Sequence, residues 1–209
     1  MPHQHDSHCG HESTEHDHDH GDSEGPKDNL FSQIDIDNVV ALNATGRGST
    51  VIKPWHQRLD EEKSIESDAD DQMIIRVPFT GSVKLRSLLL KAGPADQTPL
   101  KVVLFSNEES LDFQDIADKA STQEFIVAQG REVGEYALRT AKFSNVSSIS
   151  MFFPQSQGAD TTQIYYLGFL GTWTERKMSA PITVYEAQAN LADHEKIQGT
   201  EMGSSSPQF

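Results

Sequence analysis

One cysteine, Cys9, is all the thiol in these 209 residues. An internal disulfide and a Cys-x-x-Cys redox pair are therefore excluded, and the chain is expected in a reducing compartment. No apolar run is long enough to cross a membrane as a helix, and the polar, His-rich amino terminus lacks the basic-then-apolar order of a secretory signal. Positive charge is scarce: 17 Lys and Arg face 32 Asp and Glu, a net of -15. Nucleic acid and anionic membrane both bind through neutralised phosphates, so neither is an expected partner, whereas basic protein surfaces remain open.

Catalytic signatures are missing as well. Outside the first 28 residues the only histidines are His56 and His194, and neither sits in a telling context for a nucleophile's base. There is no Gly-x-Ser-x-Gly elbow, no His-Glu-x-x-His helix and no Gly-x-Gly-x-x-Gly turn. Gly46 to Ser49 reads GRGS, but without a preceding strand or a following Gly-Lys-Ser/Thr it is a flexible turn and not a phosphate loop. The acids Glu66, Asp68, Asp70 and Asp71 lack the glycine and the terminal glutamate of a calcium loop and read as a solvated turn. The catalytic set is therefore expected to be empty.

What is present falls into three parts. Met1–Asp28 has no apolar periodicity and is expected to be a disordered, acidic tail, since it cannot bury enough surface to offset the entropy of ordering it. It carries His3, His5, His8, Cys9, His11, His16, His18 and His20. Imidazole and thiolate are ligands for zinc, nickel and copper, so these residues are the candidate metal ligands, with weak Zn or Ni binding as the expectation; no cofactor is required by the rest. The plainer reading is a solubilising tail that meets metal incidentally. Residues 29–187 form the expected globular domain, and Gln188–Phe209 is a second, flexible tail.

Within the domain, Glu66–Leu90 predicts an organising hairpin: an acidic turn, a strand over Met73–Val77, a reversal at Pro78, Thr80 and Gly81, and a returning arm at Val83–Leu90. That second arm stays ambiguous, because Leu85, Leu88 and Leu89 also fit a short amphipathic helix capped by Gly93. Further strands are expected at Leu100–Ser106, Gln123–Ala128, Tyr136–Phe143, Val146–Phe153 and Thr162–Thr174, with a short last one at Ile182–Tyr185. Ile149, Met151 and Phe153 alternate with Ser148 and Ser150, as in a half-buried strand. Trp55, beside His56, is read as a loop anchor in preference to a ligand platform. Lys84, Arg86, Lys91 and Lys101 are a candidate basic face. Strands without a long intervening helix predict an all-β, antiparallel jelly-roll β-sandwich.

The segments ESDADDQMIIRVPFTGSVKL, FSNVSSISMFF and GADTTQIYYLGFLGTW, in that order, resemble the PITH domain, as do VIKPWHQR and EAQANLADH. The resemblance spans about Phe31 to Glu186 and is greatest to stand-alone PITH-domain-containing proteins. It implies a jelly-roll sandwich with Val83–Leu90 as a strand, no catalytic residues, cytoplasmic and nuclear distribution, and association with the 26S proteasome through its regulatory particle. The thioredoxin Cys-x-x-Cys of two-domain relatives is absent, so their redox activity is not implied. The combined expectation is a monomeric, non-enzymatic protein-binding module, contacting its partner through sheet edges, loops and Gln188–Phe209. The alternative is a metal-binding protein acting through the amino-terminal histidines.

Overall fold

Among the described residues, which are 25–108 and 110–175 of a computed structural model, helix is confined to short 3-10 turns and the rest is antiparallel sheet and loop. Nine strands are present there: β1 Val40–Leu42, β2 Ala44–Thr45, β3 Ile65–Ser67, β4 Met73–Ala92, β5 Lys101–Ser106, β6 Gln123–Ile126, β7 Gly134–Ala137, β8 Val146–Phe153 and β9 Gln163–Thr174. The expected Ile182–Tyr185 strand and both tails lie outside the described residues, apart from residues 25–28.

β4 is one continuous 20-residue strand, so the expected hairpin does not exist. Its first half pairs with β1 on one edge and β8 on the other; its second half pairs with β7 and β9. The chain thus forms two five-stranded layers, β1-β4-β8-β5-β6 and β7-β4-β9-β3-β2, that share β4. Pro78, Thr80 and Gly81 mark the crossing from one layer to the other. Pro78 is the last residue in register with β8 before a break that ends at Val83, and its carbonyl accepts from the Asp35 N–H on the opposite edge, so the N–H it lacks is not one that would point at β8. Gly81 serves close approach, because a Cβ there would lie 2.4 Å from Trp173 Nε1 and 2.7 Å from Thr174 O. The reversal was inferred from residues that make a kink between sheets.

The helix-like spacing of Leu85, Leu88 and Leu89 also has a cause. The register shifts between Leu85 and Ser87, which moves the inward face from odd to even positions. Met73, Ile75, Val77, Val83 and Leu85 face the core before the shift, Leu88 and Leu90 after it, while Leu89 packs outside with Tyr166 and Leu170. Val83–Leu90 is strand, as the resemblance implied. The same core takes in Ile149, Met151 and Phe153 of β8 and Val102 and Leu104 of β5 from one layer, and Ile164, Leu167 and Phe169 of β9 from the other.

Smaller differences have similar reasons. The strand expected at Tyr136–Phe143 is instead Gly134–Ala137, set by pairing of Tyr136 with Leu88 and stacking of its ring on Phe125 at 4.6 Å. Gly46–Ser49 leads into a 3-10 turn, Gly48–Val51, in which Gly48 is buried against the backbone of β1. The acidic turn is bonded and not merely solvated. Asn43, at φ 54°, donates to Asp70 Oδ1 and Gln72 O and accepts from the Ala69 N–H. Asp71 accepts from the Ser156 N–H, and Glu66 accepts from Thr161 and Gln97. Asp28, just before the expected domain start, is ion-paired with Arg86 at 2.8 Å.

Candidate functional site

Each layer has an outer face that a loop covers in part. Over β9 and the second half of β4, the segment carrying Trp55 packs on Leu89, Tyr166 and Leu170. The Arg58 guanidinium lies 4.4 Å from the Trp55 ring centroid and donates to Trp55 O, and the backbone of Gly25 lies against the same ring. Trp55 is therefore the anchor expected of it. Burial raises the Tyr166 phenol to about 12, with Arg58 opposing. A surface depression of about 530 Å³ lies beside Trp55, lined also by Lys27, Phe31 and exposed His56.

The other outer face carries Val103, Phe105 and Phe152. The segment following β5 folds back over them through Leu111 and Ile116, and Asp112 Oδ1 fixes its turn by accepting from the Gln114 and Asp115 N–H groups at 2.9 Å. Period-two geometry puts Ile74, Arg76 and Pro78 of β4 and Ser148 and Ser150 of β8 on this same face. The covering loop stops short of Arg76, leaving a cleft with two halves. One, about 340 Å³, is lined by Asp35, Asn38, Arg76, Pro78, Phe79, Ser147 and Ser148. The other, about 240 Å³, adds Val40, Leu42, Ile74 and Leu111, with Ser110 and Asp112 at its rim. Arg76 belongs to both.

This cleft holds two exceptions to the pairing of polar groups elsewhere. Among the described residues, the lysines and arginines that are not exposed are Lys53, Arg58, Arg76, Lys91, Lys101 and Lys119. Five make hydrogen bonds or ion pairs: Lys53 to Asp60 and Lys63 O, Arg58 to Trp55 O, Lys91 to Glu61 and Arg131 O, Lys101 to Glu124, and Lys119 to Glu108. Arg76, half-buried, makes neither among those residues. Ser148, 5% exposed, carries the one buried side-chain polar atom among them without a hydrogen-bond partner. Such a hydroxyl costs about 1–3 kcal/mol to bury. Asp35 and Asp112 are bonded to Asn38 and to backbone N–H groups, respectively, and form no ion pair with Arg76.

The candidate basic face, for which a merely solvated outer face is the plainer reading, resolves into separate pairings: exposed Arg86 with Asp28 and Glu135, Lys91 buried against Glu61, and Lys101 with Glu124, while Lys84 is exposed. The candidate ligands His3, His5, His8, Cys9, His11, His16, His18 and His20, and also His194, lie outside the described residues. Arg76 was not singled out from sequence; the available signal was a lone charge inside the apolar run Met73–Phe79.

Comparison with known proteins places these features in a family. The PITH domain matches residues 20–189. The chain is 37% identical over 203 residues to PITH domain-containing protein CG6153 of Drosophila melanogaster, covering 94% of this chain and 95% of that protein. It is 37% identical over 177 residues to PITH domain-containing protein 1 of Homo sapiens, covering 82% of each. Among solved structures, a family 32 CBM from C. perfringens NanJ in complex with galactose aligns at TM-score 0.47 and 11% identity, over 66% of this chain and 97% of that one.

Proposed function

The chain belongs to the PITH domain family, and from that premise we infer that it is a non-enzymatic protein-binding module that associates with the 26S proteasome through its regulatory particle, as a monomer in the cytoplasm and nucleus. The observation that carries a binding role is the cleft at Arg76, where a half-buried guanidinium and a buried hydroxyl stand without partners among the described residues. Groups left in that condition cost stability unless another molecule satisfies them. The proteasome as partner rests on the family resemblance. His56, the histidine within the described residues, is exposed on a 3-10 turn next to Gln57 and far from any arrangement that would activate a nucleophile.

Affinity capture of the full chain from native lysate at low salt tests the reading. Recovery of regulatory-particle subunits in stoichiometric amounts is the expected result, and their absence refutes the proteasome assignment. The seven histidines and Cys9 of the first 20 residues support a secondary capacity for weak Zn or Ni binding. Calorimetry of the chain against a version starting at Asn29 decides it, since equal zinc affinity removes the tail as the site.

A further inference from the structure

The geometry points to the Arg76 cleft as the seat of a carboxylate: an aspartate or glutamate side chain on an extended partner segment, with an apolar side chain two positions away from it. This deepens the protein-binding reading and rests on it.

Three features select that chemistry. First, arginine's planar fork of N–H donors matches a carboxylate in bidentate fashion, and Arg76 is the non-exposed cation among the described residues whose donors are not already taken. Ser148 in the same hollow supplies a hydroxyl donor for which the described residues hold no acceptor. Second, the hollow continues on the other side of Arg76 into an apolar half. Ile74 and Arg76 are alternate residues on one face of β4, so they lie about 7 Å apart, the spacing of same-side residues in an extended peptide. Val40, Leu42, Ile74 and Leu111 there form a pocket for one aliphatic side chain, and Val40 is 37% exposed. Third, each half of the cleft is lined by one acid, Asp35 in the first and Asp112 in the second. Their charges weaken the attraction for a dianionic phosphate more than for a single carboxylate, and the chain's net -15 acts in the same direction.

The test is an amide and arginine-side-chain NMR titration of the full chain with three probes: acetyl-Leu-Gly-Asp-amide, its Asn counterpart and inorganic phosphate. The Asp peptide is expected to shift Val40, Arg76 and Ser148 saturably. The Asn peptide should bind roughly tenfold or more weakly, because one charge-assisted contact contributes at least that factor. Arg76→Gln should lose a similar factor, and Arg76→Lys should recover part of it, which separates loss of charge from loss of fold. Equal binding of the Asp and Asn peptides, tighter binding of phosphate, or shifts confined to other surfaces would each overturn the proposal. Lysate capture with wild type and Arg76→Gln side by side keeps the two readings distinct. Undiminished capture by the variant refutes the cleft and leaves protein binding standing, whereas capture of nothing by wild type refutes the proposed function and leaves the titration to decide the carboxylate.

Discussion

Ser148 and Ser150 offer an internal control for the idea that the cleft is held in an unsatisfied state. They lie two residues apart on β8, point to the same face, and are both buried. Ser150 Oγ donates to Glu108 O at 3.1 Å, whereas Ser148 Oγ has no partner among the described residues. Alanine removes one oxygen from each. At Ser150 the substitution deletes a neutral hydrogen bond and should destabilise by about 1–1.5 kcal/mol. At Ser148 it deletes a buried hydroxyl whose desolvation costs about 1–3 kcal/mol, and the lost packing of one atom offsets only a fraction of that. A net gain of about 1 kcal/mol follows. The two variants should therefore differ by roughly 2 kcal/mol with opposite signs, or about 4–8 °C in Tm for a domain of this size. Urea unfolding with an unchanged m-value reads the difference directly. If Ser148→Ala destabilises as much as Ser150→Ala, the hydroxyl has a partner in solution and the central observation behind the cleft fails. Ser148→Ala should also bind the acidic peptide less well, so that stability and binding move in opposite directions.

Other positions give independent checks. A Cβ on Gly171 would lie 2.2 Å from Lys84 O and 3.1 Å from Leu85 Cα, both backbone atoms of the paired strand, so Gly171→Ala should cost about 2–3 kcal/mol; Gly130→Ala, with nothing within 4 Å, should be near neutral. The Glu62 N–H, and after it the Lys53 ammonium, hold the Asp60 carboxyl below its usual range. Its contribution to stability is present above about pH 4 and is lost as pH falls through the lower folded value, so the stability gap between wild type and Asp60→Asn should close on acidification; a gap that stays constant refutes this. For Tyr166 the folded pKa is raised by burial to about 12, so its contribution is complete below about pH 10 and lost above it. Tyr166→Phe should flatten the alkaline limb of the unfolding curve, and an unaltered limb would show that the phenol does not titrate late.

Those strands whose residues carry their own burial pattern were legible from sequence. Val146–Phe153 matches β8 residue for residue, with Ile149, Met151 and Phe153 inward, because a half-buried strand writes its period into its side chains. The doubly apolar centre of Thr162–Thr174 announced an interior strand, and β9 lies between β3 and β4. β4 was misread because Pro78, Thr80 and Gly81 have the same local signature whether the chain reverses or crosses between sheets; the choice was made by β8 and β9, whose pairing partners are distant in sequence. β1 and β2, three and two residues long, carry too little pattern to be seen. The site followed the same logic. Trp55 was assigned correctly because a large ring in a loop usually needs a surface to cover. Arg76 shows in the sequence as a lone charge in an apolar run, but what distinguishes it, the lack of a counter-ion among the described residues, is a property of its neighbours and not of its own sequence context.

The position of Arg76 on β4 has a consequence for how the cleft works. Both edges of β4 are hydrogen-bonded at this point, to β1 through Val40 and to β8 through Ser150, so the backbone beneath the guanidinium is fixed from two sides. The same strand continues into the second layer, where β7 and β9 hold it in turn. The backbone that carries this cation cannot be displaced by local opening, as that of an edge loop can, because any displacement of β4 disrupts both sheets. The backbone entropy beneath the cleft is therefore already lost on folding, and a partner that satisfies Arg76 and Ser148 has its own segment and these two side chains to order. Lys84 and Arg86, further along the same strand, show the alternative outcome: beyond the crossing the chain's own acids, Asp28 and Glu135, reach Arg86 and neutralise it, while Lys84 stays in solvent. On this one strand, then, the chain's own acids neutralise Arg86, whereas Arg76 stands on a doubly paired backbone with no counter-ion among the described residues.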